Sequence, residues 1–287
     1  MDIQTIAPNV YFSPVFPGLN VGFVVTARGA VAVDAPPLPS DAQAWRECIL
    51  EVAGSLQYVV LTDSHPDRLI GVGWLQAPVI AGRETLRRLQ EGGELAWRSM
   101  AEEWARRWSG VREVEHARFL LPQIAVAGRL TIHGSPPVVI ESVVGATAGS
   151  VWVRLPRERV IFAGDTVVVG SHPPLSAAPD TRAWLETLVE LRRARFPAEL
   201  IVPGRGPLCD KDGTREMSTY IQMVRRRLRS VHLSTGGRGD LMELAVGLVD
   251  AFPIAPGERE RMLHQVRADL EHVLAQVRPD EEEPSPA

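Results

Sequence analysis

Short apolar runs broken by Gly, Pro and Asp open the chain and predict an antiparallel β-meander over residues 10–12, 22–26 and 30–33. The third run ends at Asp34 and a Pro36-Pro37 stop. The spacing then turns helical, with Ala42, Trp45, Cys48, Ile49 and Val52 on one stripe behind a candidate N-cap at Ser40, until Gly54 ends it. A buried strand over 58–61 stops abruptly at Thr62, and another short strand is expected at 79–81. Helices are predicted over 84–90 and 94–108, the second with Trp97, Met100, Trp104 and Trp108 in a stripe that reads as core or interface over the mouth of a site.

The period-two pattern returns at 130–132, 138–143, 151–155 and 160–162. Asp180 then caps a helix running to Arg195, with Trp184, Leu185, Leu188 and Leu191 inward, and 200–202 is the last strand. Beyond Gly213 the pattern is helical over 214–232, 241–251 and 259–277. The predicted division is 1–212 as one α/β domain, 213–278 as a C-terminal helical region that packs on the core or forms a homodimer contact, and 279–287 as a disordered acidic tail.

Composition narrows the class without naming a function. The 287 residues, 45% hydrophobic, suffice for one large α/β domain with an appendage. A net charge of -4 gives no electrostatic case for nucleic acid, although Arg225, Arg226, Arg227 and Arg229 form a local run, read as a solvated helix face. Cys48 and Cys209 make no disulfide framework or Cys-x-x-Cys motif and are read as packing thiols. The start of the chain lacks a secretory pattern and no apolar stretch is long enough to span a bilayer, so a soluble cytoplasmic protein with no membrane partner is expected.

The candidate chemistry lies at 59–71, Val-Val-Leu-Thr-Asp-Ser-His-Pro-Asp-Arg-Leu-Ile-Gly, where a buried strand delivers polar side chains at its carboxyl end. Asp63, His65 and Asp67 alternate there and can converge on one point. This loop resembles the Thr-His-x-His-x-Asp-His signature of the metallo-β-lactamase superfamily, with Asp63 and Arg68 standing where that signature has its first and last His. Four further stretches match in order. Residues 31–34 resemble the early strand ending in a supporting Asp, here Asp34. Residues 145–150 resemble a Gly-His-Thr-x-Gly-Ser loop with Ala146 in the His position. Gly164-Asp165 matches unchanged, and residues 203–207 resemble Pro-Gly-His-Gly-Pro with Arg205 in place of His.

The resemblance implies a four-layer αββα sandwich and a pair of metal ions that polarise a substrate and supply hydroxide. Of its five ligand histidines only His65 remains. Asp63, His65 and Asp165 are the one set left for a single Zn, Mn or Fe, and Asp67 is the candidate catalytic carboxylate. Arg68 and Arg205 stand on the second-metal side, where guanidinium groups paired to Asp67 and Asp165 would replace the ion's charge. His172 is read as a surface or structural histidine, with a place facing the pocket as the alternative. The expectation is a degenerate site without a bound metal, impaired in dinuclear hydrolysis, whose pocket takes an anionic small molecule. The alternative is a hydrolase of esters, thioesters, lactones or phosphoesters using one metal.

Overall fold

The computed structural model describes the chain except residues 1, 17, 107–113, 115, 236–239 and 278–287, and omits side chains over 232–235. Trp108 and the 279–287 tail therefore lie outside the described residues. The elements run β1 (Gln4–Ala7), β2 (Val10–Ser13), β3 (Val21–Thr26), β4 (Gly29–Val33), α1 (Pro39–Ala53), β5 (Leu56–Val60), α2 (Pro66–Leu69), β6 (Val79–Gly82), α3 (Arg83–Arg106) and β7 (Ile124–Val126). The second half runs β8 (Arg129–Ile132), β9 (Val138–Ser142), β10 (Val151–Leu155), β11 (Val160–Val168), α4 (Thr181–Arg192), β12 (Leu200–Arg205), α5 (Arg215–Thr235), α6 (Leu241–Val246) and α7 (Arg259–Gln276).

One sheet has the order β1-β2-β3-β4-β5-β6-β7 and the other β12-β11-β10-β9-β8. Each begins as an antiparallel meander and ends in parallel pairs reached by helical crossovers, β4 with β5, β6 and β7 in one sheet and β11 with β12 in the other. Alternation along the strands sends Val24, Val31, Val33, Val60 and Ile80 of the first sheet against Ile140, Val153, Leu155, Phe162 and Val202 of the second. The opposite face of the first sheet buries Phe23, Ala32 and Val59 against Trp45 and Ile49 of α1 and Trp97 and Trp104 of α3. The opposite face of the second buries Trp152, Ile161 and Ile201 with Trp184 and Leu188 of α4, Ile221 and Val224 of α5 and Leu270 and Val273 of α7. These three clusters are the interfaces of the expected αββα sandwich, and the C-terminal helices share the last of them.

Several boundaries differ from the sequence pattern. Helix α1 starts at Pro39 behind Leu38 rather than at a Ser40 cap, because proline's fixed φ suits a first helical turn. Val52, expected on the inward stripe, is 41% exposed on it. The two helices expected around Gly93 are joined across a kink there, φ 64° and ψ -175°. The helix expected over 241–251 breaks at Gly247 into α6 and a short turn at Val249–Ala251. Arg225, expected on a solvated face, is buried and donates to Thr181 Oγ1 at 2.8 Å. Strands β1 and β7 were not anticipated. No helix among the described residues is long and apolar enough to cross a membrane.

Candidate functional site

The parallel strands β4, β5, β11 and β12 end at the same edge, so the loops after them meet. Asp34 follows β4 with φ 58°, a left-handed conformation that Asp tolerates better than most residues. Its carboxylate accepts from Thr62 N at 2.8 Å and Thr62 Oγ1 at 2.6 Å, tying the loop after β5 to β4. His65 is the N-cap residue of α2, with Pro66 in the first turn, and the helix carries Asp67 and Arg68 inward. Asp165 lies within β11, next to Gly164 at φ 56°, where an added Cβ would sit 2.4 Å from Thr62 Oγ1. Arg205 ends β12 beside Gly204, where a Cβ would lie 2.2 Å from Asp165 Oδ1 and 2.5 Å from Arg68 Nη2. These two glycines let the backbone close around the carboxylate.

Arg68 is the centre of the site. It is fully buried, and a buried cation requires opposite charge around it. Its Nη2 donates to Asp165 Oδ1 at 2.6 Å and its Nη1 to Asp67 Oδ1 at 3.3 Å. Its Nε donates to Thr62 Oγ1 at 3.1 Å and lies 3.3 Å from Asp63 Oδ2 and 3.4 Å from Asp34 Oδ2. Arg205 closes the other side, with Nη2 at 2.7 Å from Asp67 Oδ2 and 2.9 Å from Asp165 Oδ2, Nε at 3.1 Å from the latter oxygen, and Nη1 donating to the Gly18 carbonyl. The pairing expected from sequence is therefore crossed as well as direct: both arginines hold both Asp67 and Asp165.

His65 completes the cluster. Its Nδ1 is 3.0 Å from Asp63 Oδ1 and 3.1 Å from Asp165 Oδ2, while Nε2 is buried without a hydrogen-bond partner. Burial disfavours the charged ring, but Asp63 and Asp165 outweigh it and push its pKa up to about 10. Burial likewise opposes ionisation of Asp165, and Arg205 and Arg68 more than offset this, holding its carboxyl well below the usual range. Asp63 is lowered too, with Arg68 and His65 overcoming its burial. Asp34 goes the other way: burial dominates and raises it to about 7. Asp63, Asp67 and Asp165 thus meet two guanidinium groups and the His65 ring as cationic partners supplied by the chain itself.

Whether metal ions fit can be asked of each position. Asp63, His65 and Asp165 each offer a ligand atom, all within 4.8 Å of one another, so the set suits one hard or borderline ion by number and kind. Such an ion would need His65 neutral and would compete with Arg68 for Asp63 and Asp165. A second ion between Asp67 and Asp165 does not fit, because both oxygens of each carboxylate already accept from Arg68 or Arg205.

The remaining candidates are placed as follows. Ala146 is fully buried in the outer cluster of the second sheet and offers no donor. His172 does not join the carboxylates: its Nδ1 meets Tyr220 Oη at 3.1 Å and its Nε2 the Val249 carbonyl at 2.9 Å, with its pKa lowered by burial. Its role is to link the segment after β11 to α5 and the 249–251 turn. Burial and nearby Asp210 push the Cys209 thiol up to about 12, which disfavours the reactive thiolate. Two residues central to the geometry were missed. Thr62 bridges Asp34 to Arg68, and Asn20 Nδ2 donates to the Pro203 and Gly206 carbonyls at 2.8 Å each, clamping the Arg205 loop. Thr62 had its place at the head of the signature loop as a signal; Asn20 had none.

Comparison with known proteins agrees with this architecture. The family model of the metallo-β-lactamase superfamily matches residues 20–205. A metallo-β-lactamase from Pontibacter korlensis is similar in structure, with TM-score 0.60 and 21% identity, covering 77% of this chain and 98% of that one. The DIM-1 metallo-β-lactamase gives TM-score 0.62 at 17% identity over 77% and 97% of the two chains. The stereoselective inverting sec-alkylsulfatase Pisa1 from Pseudomonas sp. gives TM-score 0.69 at 15% identity and covers 94% of this chain, which spans 49% of it. The sulfatase likeness thus reaches further along the chain than the lactamase likenesses do. No curated protein matches the sequence. With the family model spanning the region from Asn20 to Arg205 and the fold and motif loops in agreement, the chain belongs to the metallo-β-lactamase superfamily.

Proposed function

We propose that this protein keeps the superfamily's scaffold and site address but holds the site together with guanidinium groups, and does not carry out dinuclear metal-dependent hydrolysis. The observation that carries this reading is Arg68, wholly buried and in contact with Asp34, Asp63, Asp67 and Asp165 at once. An arginine so enclosed supplies the positive charge a metal would bring, in a fixed geometry and independent of pH. Arg205 repeats the device on the same carboxylates. The site's remaining role is ligand binding at its rim. The Asp165 and Asp63 carboxylates are sealed from solvent, and Arg205, the better exposed of the two arginines, is what a small molecule would meet.

A second reading has one observation in its favour, the Asp63, His65 and Asp165 donor set. A single ion there would make the protein a mononuclear hydrolase, the superfamily usually binding zinc or other metals. An ester, thioester, lactone and phosphoester panel assayed with added Zn, Mn or Fe separates the two. The first reading expects no turnover above that of His65→Ala. Metal-dependent turnover abolished by His65→Ala would overturn it in favour of the second.

A further inference from the structure

We infer that the cavity on the outer side of Arg205 binds a small, mainly apolar molecule through one neutral carbonyl oxygen, held by the outward Nη1 of Arg205. This deepens the guanidinium-held reading and rests on it, because an ion at Asp67 and Asp165 would displace the Arg205 side chain.

The cavity measures about 660 Å³; Phe12, Phe16, Leu19 and Leu208 make its apolar wall, and Gln4, Asn20, Ser171 and Arg205 add polar side chains beside Gly18. That volume lies within the range of about 300–1,000 Å³ over which proteins hold small molecules, and a mainly apolar wall with a few placed polar groups is the usual composition of such sites. A guanidinium carries five N–H groups. Among the described residues Arg205 makes four hydrogen bonds: Nε and Nη2 to Asp165, Nη2 to Asp67, and Nη1 to the Gly18 carbonyl. The remaining N–H is on Nη1, the nitrogen bonded to cavity-lining Gly18.

The charge of the head group follows from what Arg205 already touches. Asp67 at 2.7 Å and Asp165 at 2.9 Å satisfy its cation, so a further carboxylate would face two like charges across the same guanidinium. A neutral acceptor meets no such repulsion and still takes the free N–H. The notion of an anion bound by both arginines fails on the same ground, since Arg68 is enclosed and Arg205 is already neutralised.

The test compares 2-octanone with octanoate, two probes of similar length that differ in head-group charge. Binding to the full chain is followed by calorimetry, with metal content measured on the same sample. Saturable binding of 2-octanone at least tenfold tighter than octanoate is expected. Leu208→Trp and Ser171→Trp, which fill the cavity from residues outside the carboxylate cluster, should each weaken it at least tenfold while keeping the wild-type melting temperature. Octanoate binding as tight as 2-octanone overturns the neutral-head assignment. Absence of saturable binding, or undiminished binding in whichever of the two variants folds, overturns the cavity assignment. Metal-free protein that fails to bind refutes the cavity alone, whereas an equivalent of metal in the sample refutes the reading beneath it.

Discussion

At the scale of residues, the cluster's stability is concentrated in Arg68. Removing it leaves Asp165, Asp67 and Asp63 with fewer cations in a buried site, and stranding one partner of a buried ion pair costs about 3–5 kcal/mol. Arg68→Met should therefore lower the unfolding free energy by about that amount in urea titration. A loss below about 1 kcal/mol would mean the guanidinium is not what balances those carboxylates. Another buried titratable group lies far along the chain at Asp269, whose pKa rises to about 7 chiefly through burial, against the opposing hydrogen bonds from Ser176 and Gln265. The folded state thus holds a proton that the unfolded chain releases near 3.8, so this group's contribution falls as pH rises from about 4 through about 7. Asp269→Asn keeps the Oδ1 acceptor and removes the charge. Relative to wild type it should gain stability across that window, with a slope of up to about 1.4 kcal/mol per pH unit. Parallel pH profiles for the two proteins would refute the assignment.

At the scale of elements, loops that follow parallel strands build the site, and glycine permits the close approach. A methyl group on Gly204 would collide with both Asp165 and Arg68, so Gly204→Ala should destabilise the fold by about 1–3 kcal/mol. Unchanged thermal unfolding of that variant would show the loop has more freedom than the packing implies. Much of this level was legible beforehand. The loop after β5 and the Gly164-Asp165 pair stood out through their resemblance to the superfamily's motifs, and the Asp180 cap because cap chemistry is local; Asp180 accepts from Arg182 N and Ala183 N as its position requires. What escaped was non-local. Strands β1 and β7 are short edge segments whose pairing decides them more than their composition does. Arg225 looks like part of a solvated run until α4 supplies Thr181 to receive it. The crossed pairing of Arg68 and Arg205 depends on two loops meeting across 137 positions of chain, a distance no spacing pattern reports.

At the scale of the whole molecule, two sheets bring four loops to one edge while the C-terminal helices complete the outer layer of the second sheet. His172, Asp269 and Gln276 join those helices to the segment between β11 and α4 by hydrogen bonds to Val249, Ser176, Ala178 and Thr181, so both regions share one packed face. On the proposed reading the site carries its own balancing charge and needs no ion to hold this arrangement. A strong chelator should leave the melting temperature unchanged, because nothing that binds only the folded state would be removed. A chelator-induced drop reversed by zinc would contradict that. The most direct measurement is metal content itself. Protein expressed in medium supplemented with Zn, Mn and Fe, purified without chelator and analysed by mass spectrometry, should carry far less than one equivalent of any of them. One equivalent or more, lost in His65→Ala, would contradict the account.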